Sequence, residues 1–315
     1  MHIINARNVS EALPLGIEYL TAHGRNEPSR NGRVWVAPVP VTTVYAKPNE
    51  RVLLSASRDA NPFFHLAESL WMLAGRNDSA YLNQFVKTFG ARFAQPDGML
   101  HGAYGYRWRN HFSMDQLKWV INILKADPLS RQAVLTMWDP EIDLARRDVK
   151  DIPCNTHIYL RVNAGQLDMT VCCRSNDILW GAYGANAVHF SILQEYLAAH
   201  LEIPLGTYYQ ISNNFHVYLD ELMKKQGKFL DHRRYPTEPL VTDTASFDDE
   251  VLMLLEGWQP KRNRFLAETA YWMLEAYMVR KVPRDVTECL QQVAAQDWRI
   301  AGQEWIARRS KVHES

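Results

Sequence analysis

The sequence predicts an α+β fold in which a mixed β-sheet is covered by helices, with a helical extension at the C-terminal end. Strand-like segments are interleaved with segments of helical spacing up to about residue 230, and only helical patterns follow. No G-x-G-x-x-G turn follows a strand and no G-x-x-x-x-G-K-[ST] motif occurs, so nothing indicates a dinucleotide-binding or P-loop fold. We therefore predict a core over residues 1–230 and, packed on it, a helical extension over residues 231–315.

The first half of the chain contains two clear helical patterns. Residues 25–33 are polar and contain glycine and proline, which predicts a loop. Residues 34–45 are rich in β-branched side chains but are interrupted by two prolines, which is typical of an edge strand. Apolar residues at helical spacing predict helices over residues 61–74 and 115–126.

In the second half, the alternation of strands returns before the helical tail. A hairpin turning at Gly165-Gln166 joins two predicted strands, and a third strand comes before them. The predicted elements are strands over residues 132–137, 154–162 and 167–173, a helix over 187–200, a strand over 207–215, and helices over 216–225, 264–280 and 285–298.

Composition and charge exclude several classes of protein. Lysine plus arginine and aspartate plus glutamate both number 35, so the formal net charge is zero. A protein that coats nucleic acid or a membrane surface would need a one-sided charge, and no apolar run is long enough to cross a bilayer. Two of the four cysteines are adjacent, which is no disulfide framework, so we expect a reducing cytoplasm.

Cys154 is the first candidate for chemistry, because it begins a predicted strand in the context Asp-Ile-Pro-Cys-Asn. A single cysteine of this kind is often only a small buried hydrophobic residue. As a nucleophile it would need positive potential, which Arg174 supplies if residues 167–173 form the partner strand of the hairpin. Metal binding is disfavoured, since the adjacent Cys172 and Cys173 point to opposite faces of a strand.

Arginines in loop-like settings make a candidate phosphate site. Taken singly, each is an ordinary surface charge, but guanidinium groups match phosphate oxygens well. A neutral protein with such a local cluster favours a small phosphorylated substrate over a nucleic acid polymer. The cluster consists of Arg30, Arg131 and Arg174, with Ser175 directly after the last.

Several segments together resemble the thymidylate synthase family, which includes the pyrimidine nucleotide hydroxymethylases. The resemblance runs from about Arg30 to Asp220, some two-thirds of the chain, with the motifs in the family's order. The matching segments are ESLWMLAGRN from Glu68, AYGYRWR from Ala103, DQL from Asp115, DPLSRQ from Asp127, MWDP from Met137, PC at Pro153, RSNDILWG from Arg174 and HVYL from His216.

The resemblance implies a thymidylate-synthase-like catalytic core and a role for each matched residue. Cys154 would attack C6 of a pyrimidine, Glu68 would organise protons near the C4 oxygen, and Tyr104 would help to remove the C5 proton. The 5′-phosphate would be held by the arginine cluster and Ser175, with Arg131 reaching across the interface of a homodimer. The remaining implied roles are a place among the catalytic residues for Asn155, hydrogen bonds to the sugar from His216 and Tyr218, recognition of the base by Asn186, and binding of the co-substrate 5,10-methylenetetrahydrofolate by Asp177, Gly181 and Gly90.

Departures from the synthase pattern favour hydroxymethylation. The synthases have histidine where this chain has Asn155 and a second arginine where it has Gln132. A tryptophan that packs beside the one-carbon unit is replaced by Gly90, and the tail IARRSKVHES does not match the closing C-terminal segment. A bulky ring and a closed tail exclude water. Their loss would let water attack the methylene group that hydride attacks in the synthases.

Three alternatives remain open at this stage. The enzyme would be a thymidylate synthase that makes dTMP, or it would hydroxymethylate dCMP or CMP, or the chain would be a non-catalytic nucleotide- or RNA-binding module. The last class would not need both Cys154 and Glu68. Asn186 can serve uracil or cytosine by turning its amide, but the resemblance implies aspartate at this position in cytosine-specific relatives. We therefore expect dUMP as the substrate and no metal.

Overall fold

The computed structural model describes residues 1–145, 149–225 and 229–310. It is an α+β fold, as predicted, with one large and one small mixed sheet and helices packed around them. The strands are β1 (His2–Ala6), β2 (Arg25–Ser29), β3 (Gly32–Val36), β4 (Val41–Tyr45), β5 (Val134–Thr136), β6 (Asn155–Asn163), β7 (Gln166–Cys173), β8 (Asn176–Asp177), β9 (Leu205–Ser212) and β10 (Phe215–Tyr218).

The helices lie between and after these strands. They are α1 (Val9–His23), α2 (Pro62–Leu73), α3 (Ser79–Asn83), α4 (Phe89–Phe93), α5 (Tyr104–Tyr106), α6 (Gln116–Ala126), α7 (Pro140–Asp143), α8 (Asn186–His200), α9 (Leu219–Met223), α10 (Phe247–Leu255), α11 (Tyr271–Met278), α12 (Pro283–Gln292) and α13 (Gln296–Ser310). Wider π-helical turns span Arg107–His111, Ile178–Ala185 and Leu266–Ala270. In the part of the chain described here, no helix combines the length and the apolar character needed to span a membrane.

The large sheet carries the predicted hairpin. Its strand order is β1-β4-β9-β7-β6-β5, with β1–β4 and β7–β9 parallel and the other pairs antiparallel. Alternate residues of these strands, such as Ile158, Val171 and Tyr208, are buried in the core, and α8 packs against β7 and β9. The β6–β7 hairpin brings the start of β6 beside the end of β7, as the sequence predicts.

Two predictions in the first half are wrong because of long-range pairing. Residues 25–33 are not a loop but the β2–β3 hairpin, whose tip carries Arg30. Strand β2 pairs only with β3, so it has no buried face to give an apolar signal. Residues 34–45 are not one edge strand, because the chain leaves the small sheet at its prolines and β4 enters the large sheet between β1 and β9.

The second half of the chain also differs from the prediction, at positions where the backbone pairs or hydrogen-bonds with distant segments. The predicted strand over residues 207–215 breaks as the chain passes from β9 in the large sheet to β10 in the small one, where β10 lies between β3 and β8. The helix predicted from residue 216 therefore begins only with α9. The helix predicted over residues 285–298 is interrupted at residues 293–295, where Ala294 N–H donates to Glu268 O and Ala295 N–H donates to Thr269 Oγ1.

The helices after residue 230 share the buried core of the preceding residues. Phe63 of α2 lies 5.5 Å, between ring centroids, from both Tyr277 of α11 and Trp305 of α13. Asp59 is paired with Arg308 and Arg309 of α13, each at 2.9 Å. The division of the chain at residue 230 stays a prediction.

A buried ion pair fixes the segment that carries Tyr104. Arg107 donates from Nη1 to Asp143 Oδ2 at 2.7 Å and from Nη2 to Oδ1 at 2.9 Å, and neither side chain is exposed to solvent. The remaining guanidinium hydrogens donate to the carbonyl oxygens of His101 and Met137.

We expect Asp143→Ala to lower the free energy of unfolding by about 3–5 kcal/mol, because it leaves the Arg107 charge buried without its partner. Urea denaturation followed by circular dichroism measures this loss. Glu288→Ala, which removes the exposed pair with Arg284 on α12, is the matched control and should change stability by less than about 0.5 kcal/mol. Equal losses in the two variants would contradict this account of Arg107.

Candidate active site

Cys154 lies immediately before β6, and Arg174 follows the partner strand β7. Arg174 Nη2 is 3.9 Å from Cys154 Sγ. The guanidinium is held there because Nε donates to Pro153 O at 2.9 Å and Nη2 donates to Ile152 O at 3.0 Å. The ring of Trp138 lies 5.8 Å from the Arg174 guanidinium carbon. The hairpin thus places a fixed positive charge beside the thiol, as the sequence argument required.

The electrostatic environment of Cys154 favours the neutral thiol in the free protein. Burial raises the pKa of Cys154, and the nearby carboxylate of Asp151 raises it further. Arg174 and Arg30 oppose this shift and lower the pKa of the thiol. The arginines therefore act both as candidate phosphate ligands and as the groups that make the thiolate accessible.

We expect Arg174→Ala to slow alkylation of Cys154 several-fold at mildly alkaline pH. Removing the arginine removes a charge that lowers the pKa of Cys154, so less thiolate is present at a given pH. Iodoacetamide labelling of Cys154, read by peptide mass spectrometry across a pH series, should show the titration moved to higher pH. Cys289, which is remote in sequence and on α12, is the internal control. A titration of Cys154 that does not move would contradict this assignment.

Tyr104 and Asn155 adjoin the cysteine. Asn155 N–H donates to Tyr104 Oη at 3.3 Å. Burial raises the pKa of Tyr104 well above its ordinary value, and Cys154 and Cys173 add to the shift. Tyr104 is therefore a neutral phenol at physiological pH, so it can donate or relay a proton but is not a phenolate base.

A chain of buried amides runs from Asn155 into the fold. Asn155 Nδ2 donates to Asn186 Oδ1 at 3.1 Å, Asn186 Nδ2 donates to Asn176 Oδ1 at 3.0 Å, and Asn176 Nδ2 donates to Ser212 Oγ at 2.9 Å. Asn155 Oδ1 is buried and has no hydrogen-bond partner among the described residues. The chain fixes which way the amide of Asn186 points. The sequence argument gave no role to Asn176, although it lies within the matched segment RSNDILWG.

Gly181 and Gly90 have different surroundings. A Cβ at Gly181 would lie 2.5 Å from Asn176 Oδ1, so only glycine leaves the amide chain intact. A Cβ at Gly90 would lie 2.8 Å from Ser79 Oγ and 2.9 Å from Asn83 Nδ2, on α3. Side chains of α3 therefore occupy the direction of a Cβ at Gly90, and the access of water to the one-carbon unit beside Gly90 stays a prediction. Phe89, its neighbour, packs on Phe64 at 5.6 Å between ring centroids.

Glu68 projects from α2 and meets a residue that the sequence argument missed. Its Oε2 lies 3.2 Å from His189 Nε2 on α8. The negative charge of Glu68 also contributes to the raised pKa of Asp151, for which burial is the larger cause. Asp151 in turn raises the pKa of Cys154, which connects Glu68 electrostatically to the Cys154 thiol.

Asp177, His216 and Tyr218 come together where β8 and β10 run parallel. His216 is the register partner of Asp177. Asp177 accepts from Trp180 N–H at 2.6 Å and from Tyr218 N–H at 3.4 Å. Burial raises the pKa of Asp177, and burial lowers that of His216, whose Nδ1 is 2.8 Å from Asn214 Oδ1.

The remaining predicted phosphate ligands are distributed around the site. Arg30, at the tip of the β2–β3 hairpin, is close enough for its charge to lower the pKa of Cys154. Ser175 follows Arg174 directly, and its carbonyl accepts from Cys173 Sγ–H at 3.1 Å. Arg131 is exposed before β5, and no contact with Cys154 or Arg174 joins it to the site within the described part of this chain.

Next to Asp177 is an aromatic surface that the motifs did not single out. Trp180 is 56% exposed, and the guanidinium carbon of Arg58 lies 5.3 Å from its ring centroid. An exposed ring beside a carboxylate can stack on a flat heterocycle while the carboxylate accepts from its N–H groups. Among the residues described, no group of three or more histidine, cysteine, aspartate or glutamate side chains could hold a metal ion.

Comparison with known proteins shows the family of this chain. The family model described as thymidylate synthase matches residues 16–251. Over its full length the chain is 43% identical to the deoxyuridylate hydroxymethyltransferase of Pseudomonas phage M6, covering 96% of that protein. It is 40% identical to the protein of that name from Bacillus phage SP01, over 58% of this chain and 50% of the relative. A putative thymidylate synthase of Methanothermobacter marburgensis is 31% identical over 53% of this chain and 73% of the relative.

The fold, the cysteine beside an arginine and the matched segments therefore define a one-carbon transferase. The chain belongs to the thymidylate synthase family. The family match extends past residue 230 into α10.

Proposed function

We propose that the enzyme uses 5,10-methylenetetrahydrofolate and water to convert dUMP into 5-hydroxymethyl-dUMP. The observation that carries this proposal is the position of the Cys154 thiol beside the Arg174 guanidinium. The residue after Cys154, Asn155, donates a hydrogen bond to the amide of Asn186. A relative that covers the full chain, in Pseudomonas phage M6, is named for the same activity. Residues 1–230 would carry the chemistry, and residues 231–315 would form a helical extension packed on them.

The phosphate and the sugar of the nucleotide would each be bound by their own set of side chains. Arg30, Arg174 and Ser175 would bind the 5′-phosphate, because guanidinium groups form paired hydrogen bonds to phosphate oxygens. His216 and Tyr218 would hydrogen-bond the sugar hydroxyl. Their positions on the short β10 strand, tied to β8 through Asp177, support a rigid sugar site.

The amide of Asn186 would read the base. Its Oδ1 has a second lone pair after accepting from Asn155, and its Nδ2 has a second hydrogen after donating to Asn176. These leave one acceptor for uracil N3–H and one donor for O4. Because the amide chain holds this orientation, we expect dUMP to be preferred over dCMP and CMP.

The covalent steps need no oxidant or reductant, because the transferred carbon has the same oxidation level in the folate and in the hydroxymethyl product. The Cys154 thiolate adds to C6, and the electron pair moves to the C4 oxygen, near which Glu68 would organise protons. C5 then bonds to the one-carbon unit and loses its proton through the hydroxyl of Tyr104. The electron pair left at C5 forms the exocyclic double bond as the bond between the one-carbon unit and the folate nitrogen breaks. Water adds to the resulting exocyclic methylene, and the returning electron pair expels Cys154 from C6. The folate supplies only the carbon and leaves as tetrahydrofolate.

The surroundings of Asp177 suit a folate. Asp177 would accept from the pterin N–H groups, and Gly181 would keep the adjacent backbone close. The exposed Trp180, which carries Arg58 over its ring, would add a stacking surface. Gly90 would lie beside the one-carbon unit, with Ser79 and Asn83 of α3 in the direction of its absent side chain.

The second half of the phosphate site would come from a homodimer. Alternate residues on the outer side of the large sheet remain accessible, among them Tyr159, which is 49% exposed, and the half-buried Tyr209 and Ile211. A second copy packed on this face would cover them. Arg131 lies exposed just before β5, the edge strand of the same sheet, from which it could reach a neighbouring site.

Mixing Arg131→Ala with Cys154→Ala should restore activity that neither variant has alone. Each heterodimer has one site with both residues intact, so random subunit exchange should give roughly a quarter of the wild-type rate. Each variant assayed alone at the same total protein concentration is the control for residual activity of the parent homodimers. A mixture that stays inactive, or a monomer by light scattering at assay concentration, would contradict the shared site.

The proposed function is tested by incubating the purified enzyme and methylenetetrahydrofolate with dUMP, dCMP or CMP and weighing the products. We expect 5-hydroxymethyl-dUMP to form fastest and dihydrofolate not to accumulate. Stoichiometric dTMP and dihydrofolate would identify a thymidylate synthase, and product from dCMP or CMP alone would overturn the base assignment. The four free cysteines support a reducing, cytoplasmic setting for the reaction.

A further inference from the structure

The reaction just proposed leaves a buried histidine unused. His189 lies on α8, three residues after Asn186, so the two side chains occupy one face of the helix. That face borders the active site, since Asn186 bonds Asn155 and the ring of Phe190 lies 5.8 Å from that of Tyr104. His189 therefore occupies the same wall as the residue that reads the base.

Its ring nitrogen is directed at the only acidic residue of α2. Nε2 is 3.2 Å from Glu68 Oε2, and the two side chains are 3% and 15% exposed. The pair lacks hydrogen-bond geometry, so Nε2 is a buried polar atom without a hydrogen bond to any described residue. Such an atom costs about 1–3 kcal/mol. Hydrogen bonds of catalytic groups are often poorly aligned in ligand-free sites and improve when substrate binds.

A second histidine fixes the ring of His189. His65 of α2 lies edge-on to it, with ring centroids 6.3 Å apart and an interplanar angle of 84°. Burial lowers the pKa of His65 well below its ordinary value, and the Arg58 charge and His189 lower it further. His65 is thus a neutral packing partner, and the carboxylate of Glu68 beside His189 can accept a proton from a bound water.

We propose that His189 is a positioning residue that orients the Glu68 carboxylate toward the water that attacks the exocyclic methylene. This rests on the proposed function. The water oxygen bonds to the methylene carbon, and its proton passes to Glu68. The electron pair of the methylene double bond moves to the C4 oxygen and then expels Cys154. Without His189, the Glu68 carboxylate is still present but is no longer oriented toward the water.

The water step can be separated from the steps before it. A 5-fluoro analogue of dUMP forms a covalent complex with Cys154 and the one-carbon unit but cannot lose its C5 substituent, so its rate of formation does not involve water. An added thiol is a stronger nucleophile than water and captures an exocyclic methylene as a thioether. Both readouts are measured in His189→Ala and His189→Gln, with His200→Gln, at the far end of α8, as the matched control.

For His189→Ala we expect the turnover number for hydroxymethylation to fall about tenfold to a hundredfold, as for other residues that orient a catalytic group. The KM for dUMP should stay within about threefold of wild type. The rate of fluoro-complex formation, which includes the step at the C4 oxygen but not the water step, should fall much less than turnover, and the thioether fraction should rise. His189→Gln, which keeps a donor, should recover part of the loss. His200→Gln should behave as wild type.

Three results would overturn the assignment of His189. These are unchanged turnover in His189→Ala, an equal fall in turnover and in fluoro-complex formation, and no recovery in a folded His189→Gln variant. Each can occur while the wild-type enzyme still makes 5-hydroxymethyl-dUMP. Failure of the proposed function instead appears in the wild type itself, as dTMP and dihydrofolate.

Discussion

Replacing Cys154 with alanine should reduce turnover by at least about 10⁴-fold, because no other group can form the bond to C6. The neighbouring thiols are unsuitable, since Cys173 is buried and its pKa is strongly raised by that burial. Nucleotide binding should change little, because Arg174 is held by carbonyl oxygens of Ile152 and Pro153 rather than by the thiol. Isothermal titration with dUMP and a discontinuous product assay measure the two quantities.

Cys172→Ala is the matched control for this variant. Cys172 lies next to Cys173 on β7, and its side chain is half-buried. It should retain wild-type turnover, and the 5-fluoro analogue should label Cys154 in it as in the wild type. If Cys154→Ala keeps activity within about tenfold of wild type, the covalent mechanism is excluded.

Asn186→Asp should move the enzyme's preference from uracil toward cytosine. The carboxylate cannot donate to uracil O4, and it faces the carbonyl oxygen of Asn176 to which the amide donated. A site that leaves a base atom unpaired discriminates strongly, so we expect the ratio of kcat/KM for dUMP to that for dCMP to fall by roughly a hundredfold or more. The two substrates assayed on one preparation control for folding. An unchanged ratio would show that Asn186 does not read the base.

Local sequence patterns were sufficient to place the candidate nucleophile beside its arginine. The β6–β7 hairpin has a short turn and clear alternation, so its register follows from neighbouring residues, and Cys154 and Arg174 are brought together by it. The helix predicted over residues 61–74 is confirmed as α2 for the same reason, because its apolar spacing and the Asn61 cap are local signals.

What the sequence could not predict depends on contacts between distant segments. His189 is an unremarkable polar residue within an apolar helix until α2 brings Glu68 to it. The space at Gly90 depends on where α3 packs, which no spacing rule along residues 89–94 reveals. Strand β2 lacks an apolar pattern because it is an edge, and only its pairing with β3 identifies it. Motif matching proposed residues for the site, but it could not determine their surroundings.

The central claim is that water, not hydride, completes the reaction on dUMP. The most direct measurement runs the wild-type enzyme with dUMP and methylenetetrahydrofolate in water labelled with heavy oxygen and weighs the nucleotide product. We expect 5-hydroxymethyl-dUMP whose new hydroxyl carries the label, together with tetrahydrofolate. An unlabelled 5-methyl product formed in step with dihydrofolate would contradict the claim.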